Sequence, residues 1–311
     1  MRILLFGATG YIGGQAARLL AAKGHAVTVV VRREASAAAF RADGMEALVG
    51  DARNMAFTPE FFAPYDGVLW AAQLMLEEEE AFCAAALRAL AKSGKAFIFT
   101  SGTSLVSQPT NGEWSEDTFS EYDDFLPRRQ VAPRRAIETM VRVAAHYGVR
   151  AMVVRPPLIW GHGGCRIIED LYHSARKTGA VCYVGSGLNL YTHVHVDDLS
   201  ELYALALEKG VAGALYHLAS GEVAFRTMAE TIARHLSVGT RSLTIAEAAE
   251  VWDPFMGPIV FSGCSRTRAP RSRLELGWRP SADKCDLLVE CVAPGYAEAT
   301  ERAPPSWVRK G

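Results

Sequence analysis

Gly7-Ala8-Thr9-Gly10-Tyr11-Ile12-Gly13 stands between the apolar run Arg2–Phe6 and a helical pattern at residues 15–23. The run before it is short and continuously hydrophobic, as in a strand buried on both faces of a parallel sheet. The pattern after it is closed by Gly24-His25, a helix stop. Three glycines at this spacing have separate uses: Gly7 permits a tight turn, Gly10 lets backbone approach a ligand, and Gly13 allows close helix–strand packing. The helix start presents unpaired N–H groups and partial positive charge, which suits a pyrophosphate.

Working outward, strand and helix patterns alternate. The β-branched stretch Ala26–Val31 predicts a second strand, 35–43 a helix, 47–49 a third strand and 67–72 a fourth. Residues 77–92 predict a long helix whose acidic first turn complements the helix dipole. Ala96–Thr100 follows as a fifth strand, 113–129 as a polar, acidic, aromatic loop, 134–147 as a helix and 151–155 as a sixth strand. This order predicts an α/β fold, a Rossmann-type doubly wound parallel sheet, over residues 1–160. Residues 161–311 are less regular and predict a smaller C-terminal substrate lobe interleaved with the sheet. Its elements are helices at 167–178, 199–208 and 227–236 and short strands at 193–196 and 216–219. The tail after Ala293 reads as a poorly packed end.

The chain has 311 residues, half of them hydrophobic and 22% charged, so a sizeable core is within reach. A net charge of −1 argues against a nucleic-acid partner, and no stretch is long enough for a membrane span or a secretion signal. Six scattered cysteines lack the spacing of a zinc or thiol-redox motif and read as free thiols of a cytoplasmic protein.

The end of the second strand selects between nicotinamide dinucleotides. An acid there bonds the ribose 2′-OH of NAD, whereas arginine accommodates the 2′-phosphate of NADP. Val31-Arg32-Arg33 therefore favours NADP(H) over NAD(H), since planar guanidinium forks match a phosphate. Asp51 is placed to reach the adenine edge, and Ala71 and Ala72 to line the adenosine and ribose. With Gly7, Thr9, Gly10, Tyr11, Ile12 and Gly13, and with Thr100 and Pro156 at later strand ends, they form the expected cofactor surface.

Five segments in order, Arg2 to Gly13, Phe97 to Ser101, Arg155 to Gly161, His193 to Leu199 and Leu276 to Pro280, resemble the short-chain dehydrogenase/reductase superfamily. The likeness is to its extended and atypical branches, which include NAD-dependent epimerase/dehydratase proteins. The resemblance implies a catalytic Ser or Thr after the fifth strand and a Tyr-x-x-x-Lys on the next helix. Aligned through Glu138, the tyrosine position falls on Gln130, the lysine position on Arg134 and the Ser/Thr position on Gly102. Glutamine carries no titratable proton and arginine is no proton shuttle. Any acid or base must then come from Ser101, Thr103, Tyr122, Asp123 or Asp124, or from His162, since imidazole is the side chain whose ordinary pKa is nearest neutrality. Arg134 could still hold a ribose hydroxyl or a phosphate.

His193, His195 and Asp197 alternate as metal ligands on one strand face would. The resemblance instead reads them as a strand-to-helix junction capped by Asp197 or Asp198, and no metal is expected. The sequence thus predicts an NADP(H)-dependent oxidoreductase or epimerase-like enzyme for a small, apolar or aromatic metabolite. The alternatives are a non-redox isomerase, cyclase or lyase on the same scaffold, or a non-enzymatic NADP(H)-binding regulator. A homodimer is compatible with the resemblance.

Overall fold

A computed structural model describes residues 1–297. The first half runs β1 (Arg2–Phe6), α1 (Tyr11–Ala22), β2 (Ala26–Val31), α2 (Glu34–Ala42), β3 (Glu46–Val49), α3 (Pro59–Phe62), β4 (Gly67–Trp70), α4 (Leu76–Ala89), β5 (Ala96–Thr100), α5 (Ala132–Val143) and β6 (Arg150–Arg155). The second half runs β7 (Leu158–Trp160), α6 (Arg166–Thr178), β8 (Ala180–Val184), β9 (Leu190–His195), α7 (Val196–Lys209), β10 (Leu215–His217), β11 (Gly221–Ala224), α8 (Phe225–Leu236), β12 (Gly239–Leu243), α9 (Ile245–Val251), α10 (Pro270–Glu275) and α11 (Leu287–Glu290).

The main sheet is parallel, in the order β10-β6-β5-β4-β1-β2-β3. Its strand order reverses between β1 and β4, the crevice where such sheets bind dinucleotides. Alternation along each strand divides the core in two. Ile3, Leu5, Ile98 and Val154 face Ala16, Ala17 and Leu20 of α1 and Leu199, Leu202 and Tyr203 of α7. Leu4, Phe6, Phe97 and Phe99 face Phe82 of α4 and Ile137 and Val141 of α5. Fully burying each of the leucine, isoleucine, valine and phenylalanine side chains contributes about 1.5–3 kcal/mol, which offsets the entropy of ordering the chain.

The second half builds two small sheets, β11-β9-β7 and β12-β8, over a separate core that includes Trp160, Tyr172, Phe225 and Phe261. It also returns to the main sheet, since β10 pairs with β6 and α7 packs on α1. Several boundaries shift from the sequence expectation. Helix α1 begins at Tyr11, not 15, and α7 begins at Val196, three residues early. Helix α5 starts at Ala132 and gives way to a 3-10 turn over Ala144–Tyr147. The short strand expected at 193–196 is Leu190–His195, and β7, β8, β11 and β12 are additional. The tail expected to be loose after Ala293 is packed at Tyr296, which is buried and whose hydroxyl donates to Glu290 Oε1 at 2.8 Å. The rest of that tail, from 298, lies outside the described residues. Among the described residues no helix is long and apolar enough to cross a membrane.

Candidate cofactor and active site

The loop after β1 is shaped by close approach. Gly7 has φ +91°, and a Cβ there would lie within 2.5 Å of backbone atoms of Ala71 and Ala72. A Cβ on Gly13 would lie 2.3 Å from the Gly7 carbonyl oxygen, so α1 is pressed against the turn that precedes it. Gly10 differs: its Cβ would meet only that same oxygen, at 3.2 Å. Thr9 and Gly10 are exposed, Gly10 caps α1 without a side-chain bond, and the first turn of α1 carries no acid. The structure therefore leaves the helix-start N–H groups and their partial charge open toward the crevice, which fits a pyrophosphate.

Tyr11 turns away from that opening. Its hydroxyl donates to the Gly161 carbonyl at 2.7 Å, and its ring lies where a Cβ on Gly164 would sit. Burial raises its pKa. Ile12 is half-buried and packs against the core on the α1 face. Arg32 and Arg33 follow β2, exposed, and neither guanidinium has a hydrogen-bond partner among the described residues. Asp51 is engaged by Arg53, whose Nε lies 3.0 Å from Oδ1 and whose Nη2 lies 2.6 Å from Oδ2. Those bonds hold the Asp51 carboxyl down at about 2.

The positions of the usual catalytic set are occupied as follows. Gly102 is extended, and a Cβ there would find nothing nearer than 4.0 Å, so the missing side chain leaves space. Gln130 is exposed just before α5. Arg134 is not free: its Nη2 lies 2.6 Å from Glu79 Oε2, and its guanidinium sits 5.7 Å from the centre of the Phe99 ring. Glu79 also accepts from Trp70 Nε1 at 3.4 Å, and burial raises its pKa against the pull of Arg134.

The other expected residues are dispersed. Thr100 Oγ1 is committed to the Tyr203 hydroxyl at 2.8 Å, inside the sheet–α7 interface. The Ser101 hydroxyl is buried and has no partner among the described residues. Thr103 is buried, and its amide bonds the carbonyl of Pro156, itself buried beyond β6, at 3.2 Å. Ser265 Oγ donates to the Thr103 carbonyl at 3.2 Å. Tyr122 is 62% exposed beside Arg271, on the outer surface. The structure brings Ser101, Gly102 and Pro156 together but leaves Tyr122 apart.

His162 sits at a left-handed position, φ +53°, which costs a non-glycine residue energy and fixes the loop. Its Nε2 lies 2.9 Å from Asp197 Oδ1. Asp197 also meets Lys284 Nζ at 3.0 Å. Burial pushes its carboxyl up, yet the bonds from His162 and Lys284 prevail and hold it below the usual range. The helix cap expected from Asp197 or Asp198 is instead His195, whose Nδ1 accepts the Asp197 amide at 3.2 Å. Asp198 is buried and accepts from the Ser281 amide and hydroxyl at 3.1 and 2.6 Å. Ligand atoms of His162, His195 and Asp197 lie within 4.8 Å of one another, with the Lys284 ammonium already facing the carboxylate. His193 stands apart and accepts from Trp160 Nε1 at 3.1 Å.

Sequence reasoning missed the Glu79 and Lys284 contacts, because each joins residues far apart in the chain. The acidic loop is also more fixed than its composition suggests. Glu121 is buried and accepts the His217 amide at 3.1 Å, and Arg128 donates to the Ile259 and Pro258 carbonyls at 3.1 and 2.9 Å.

A parallel sheet with this switch-point loop is the dinucleotide-binding type of fold that the short-chain dehydrogenase/reductase superfamily shares. Residues 3–219 match the model of the NAD dependent epimerase/dehydratase family, and the chain belongs to that family. It is 30% identical over 306 residues to an uncharacterized protein, C2A9.02, of Schizosaccharomyces pombe, covering 95% of this chain and all of the relative. It is 25% identical over 238 residues to a 4-hydroxy-2-methyl-3-oxo-4-farnesyl-3,4-dihydroquinoline-1-oxide ketoreductase of Stigmatella aurantiaca, covering 71% of this chain and 69% of that one. Among solved structures it resembles UDP-glucuronic acid 4-epimerase of Bacillus cereus, in complex with UDP-glucuronic acid and NAD. The TM-score is 0.73 at 15% identity, covering 94% and 96% of the two chains, a likeness of fold.

Proposed function

We propose that the protein is an NADP(H)-dependent oxidoreductase that acts on a small apolar or aromatic carbonyl metabolite. One observation carries this reading: an open, uncapped α1 start stands beside two exposed arginines, Arg32 and Arg33, whose guanidinium groups lack hydrogen-bond partners among the described residues. The backbone from Gly7 to Gly13 would cradle the pyrophosphate, Arg32 and Arg33 the 2′-phosphate, and Ala71 and Ala72 the adenosine side. A bound nicotinamide supplies hydride transfer to or from a substrate carbon. The chain's part is to hold and shield the substrate. Next to Gly102 and Gln130, the buried Leu105, Val131 and Ile259 pack with Phe125 and Phe255 into an apolar cluster, which favours an apolar substrate. The Ser101 hydroxyl, buried without a partner among the described residues, is available to a substrate oxygen. With no tyrosine at position 130, the proton falls to His162, oriented by Asp197, or to solvent. The ketoreductase among the relatives supports a carbonyl substrate. Six free thiols, five of them buried, support a reducing, cytoplasmic setting.

A second reading, a non-redox isomerase, cyclase or lyase, is favoured by the joint change at Gly102, Gln130 and Arg134 and by the engagement of Arg134 with Glu79. Screening aromatic and apolar ketones for NADPH consumption separates the two. Turnover that needs NADPH and disappears in Gly10→Asp supports the first; product formation without added cofactor supports the second and overturns the first.

A further inference from the structure

A cleft of about 560 Å³ lies off the β10 edge of the main sheet, four strands across from the glycine loop, lined by Thr118, Ser220, Glu222, Arg266, Thr267 and Arg268, with Arg273 beside them. Its floor begins at Ala219, two residues beyond β10, an edge strand. Four strand spacings separate β10 from β1, roughly 19 Å. Three arginines face Glu222 and, at the rim, Asp123, which leaves one guanidinium in excess. Arg266 is engaged, with Nη2 3.0 Å from Glu222 Oε2 and Nη1 3.0 Å from the Ser115 carbonyl. The other two are loosely held: Arg268 reaches Asp123 at 3.3 Å while 62% exposed, and Arg273 reaches the Ala219 carbonyl at 3.3 Å.

Two hydroxyls in the same wall have no partner among the described residues. Thr267 is 3% exposed and its Oγ1 is unbonded, as is the buried Ser220 Oγ. An unsatisfied buried hydroxyl costs stability that a ligand oxygen would restore. Guanidinium forks beside hydroxyl donors are the chemistry that recognises an oxyanion.

We propose that this cleft is a second binding site, distinct from the dinucleotide crevice, for the phosphate or carboxylate group of a small molecule. Arg268 and Arg273 swing onto the anion, and Thr267 and Ser220 donate to it. This goes beyond the proposed function and does not depend on it.

The test is a titration of the full chain, saturated with NADPH, with inorganic phosphate followed by ³¹P line width and with malonate followed by thermal shift. Repeating it on Gly10→Asp excludes phosphate held at the glycine loop whether or not NADPH binds. Saturable binding of either probe, weakened about tenfold or more in Arg268→Ala/Arg273→Ala, is expected, since each charge-assisted bond contributes on that scale. Thr267→Val, close in shape, should weaken it further without unfolding the protein. The stronger of the two probes identifies the group preferred. No saturable binding of either, or binding unchanged in the double variant, overturns the proposal.

Discussion

Arg134 Nη2 lies 2.6 Å from Glu79 Oε2, joining the family's lysine position on α5 to a carboxylate on α4 that is 1% exposed. The cation here serves the helix–helix interface. Arg134→Met would strand a buried carboxylate. The expected loss is about 3 kcal/mol, at the lower end for a broken buried pair because Arg134 is itself partly exposed. Adding Glu79→Gln should recover most of it. Urea unfolding of both singles and the double checks this; equal losses in all three would contradict it.

Gly13 and Gly10 should respond in opposite ways to substitution. A Cβ at Gly13 meets backbone at 2.3 Å, so Gly13→Ala is expected to cost about 1–3 kcal/mol in unfolding free energy. At Gly10 the single contact is 3.2 Å, so Gly10→Asp should leave stability close to wild type. Its carboxylate would repel a pyrophosphate from the helix start and weaken cofactor binding on the order of 100-fold. Paired denaturation and fluorescence titrations read both effects.

Glu138 and Arg155 bond through Nε–Oε1 at 2.8 Å, with both side chains buried, and the arginine also meets His217 Nε2 at 3.3 Å. Glu138→Leu would leave the guanidinium buried without its counter-ion. The expected loss is about 3–5 kcal/mol, read as a lowered urea midpoint. An unchanged midpoint would show that water reaches the pair.

Acid should expose the neutral histidines. His217 is pushed down to about 3 by burial and then by Arg155, and His193 to about 4 by burial. Above the ordinary value of 6.5 neither is charged, folded or unfolded, and their contribution is constant. As pH falls below 6.5 the unfolded chain takes up protons that the native state refuses. Stability then drops toward pH 4 at about 1.4 kcal/mol per pH unit for each histidine. Asp170, raised to about 6 by burial, takes its proton earlier in the native state and offsets part of this between pH 6 and 3.8. The difference between wild type and His217→Gln isolates one histidine: the variant's stability should fall less steeply from pH 6.5 to 4. Parallel curves would contradict the assignment.

The glycine loop and the alternating runs up to β6 were legible because their signals are local: a turn that only glycine allows, and strands buried on both faces. The second half was less so. Strand β12, Gly239–Leu243, exposes four of its five residues and shows no apolar alternation, so its pairing with β8 left no mark in the sequence. His195 as helix cap was unexpected because histidine rarely serves there. The ties of Arg134 to Glu79 and of Asp197 to Lys284 span 55 and 87 positions, beyond any periodicity. The shape of the glycine loop follows local rules and was readable; the contacts made at the catalytic positions depend on distant partners and were not.

The proposed NADP(H) preference rests on the glycine loop and the two arginines after β2. Its most direct test is a fluorescence titration of wild type and Arg32→Ala/Arg33→Ala with NADPH and NADH. The prediction is that wild type binds NADPH more tightly, and that the double variant loses this preference, at a cost on the order of tenfold or more in NADPH affinity with NADH little changed. Equal affinities in the wild type, or a preference that survives the double change, would contradict it.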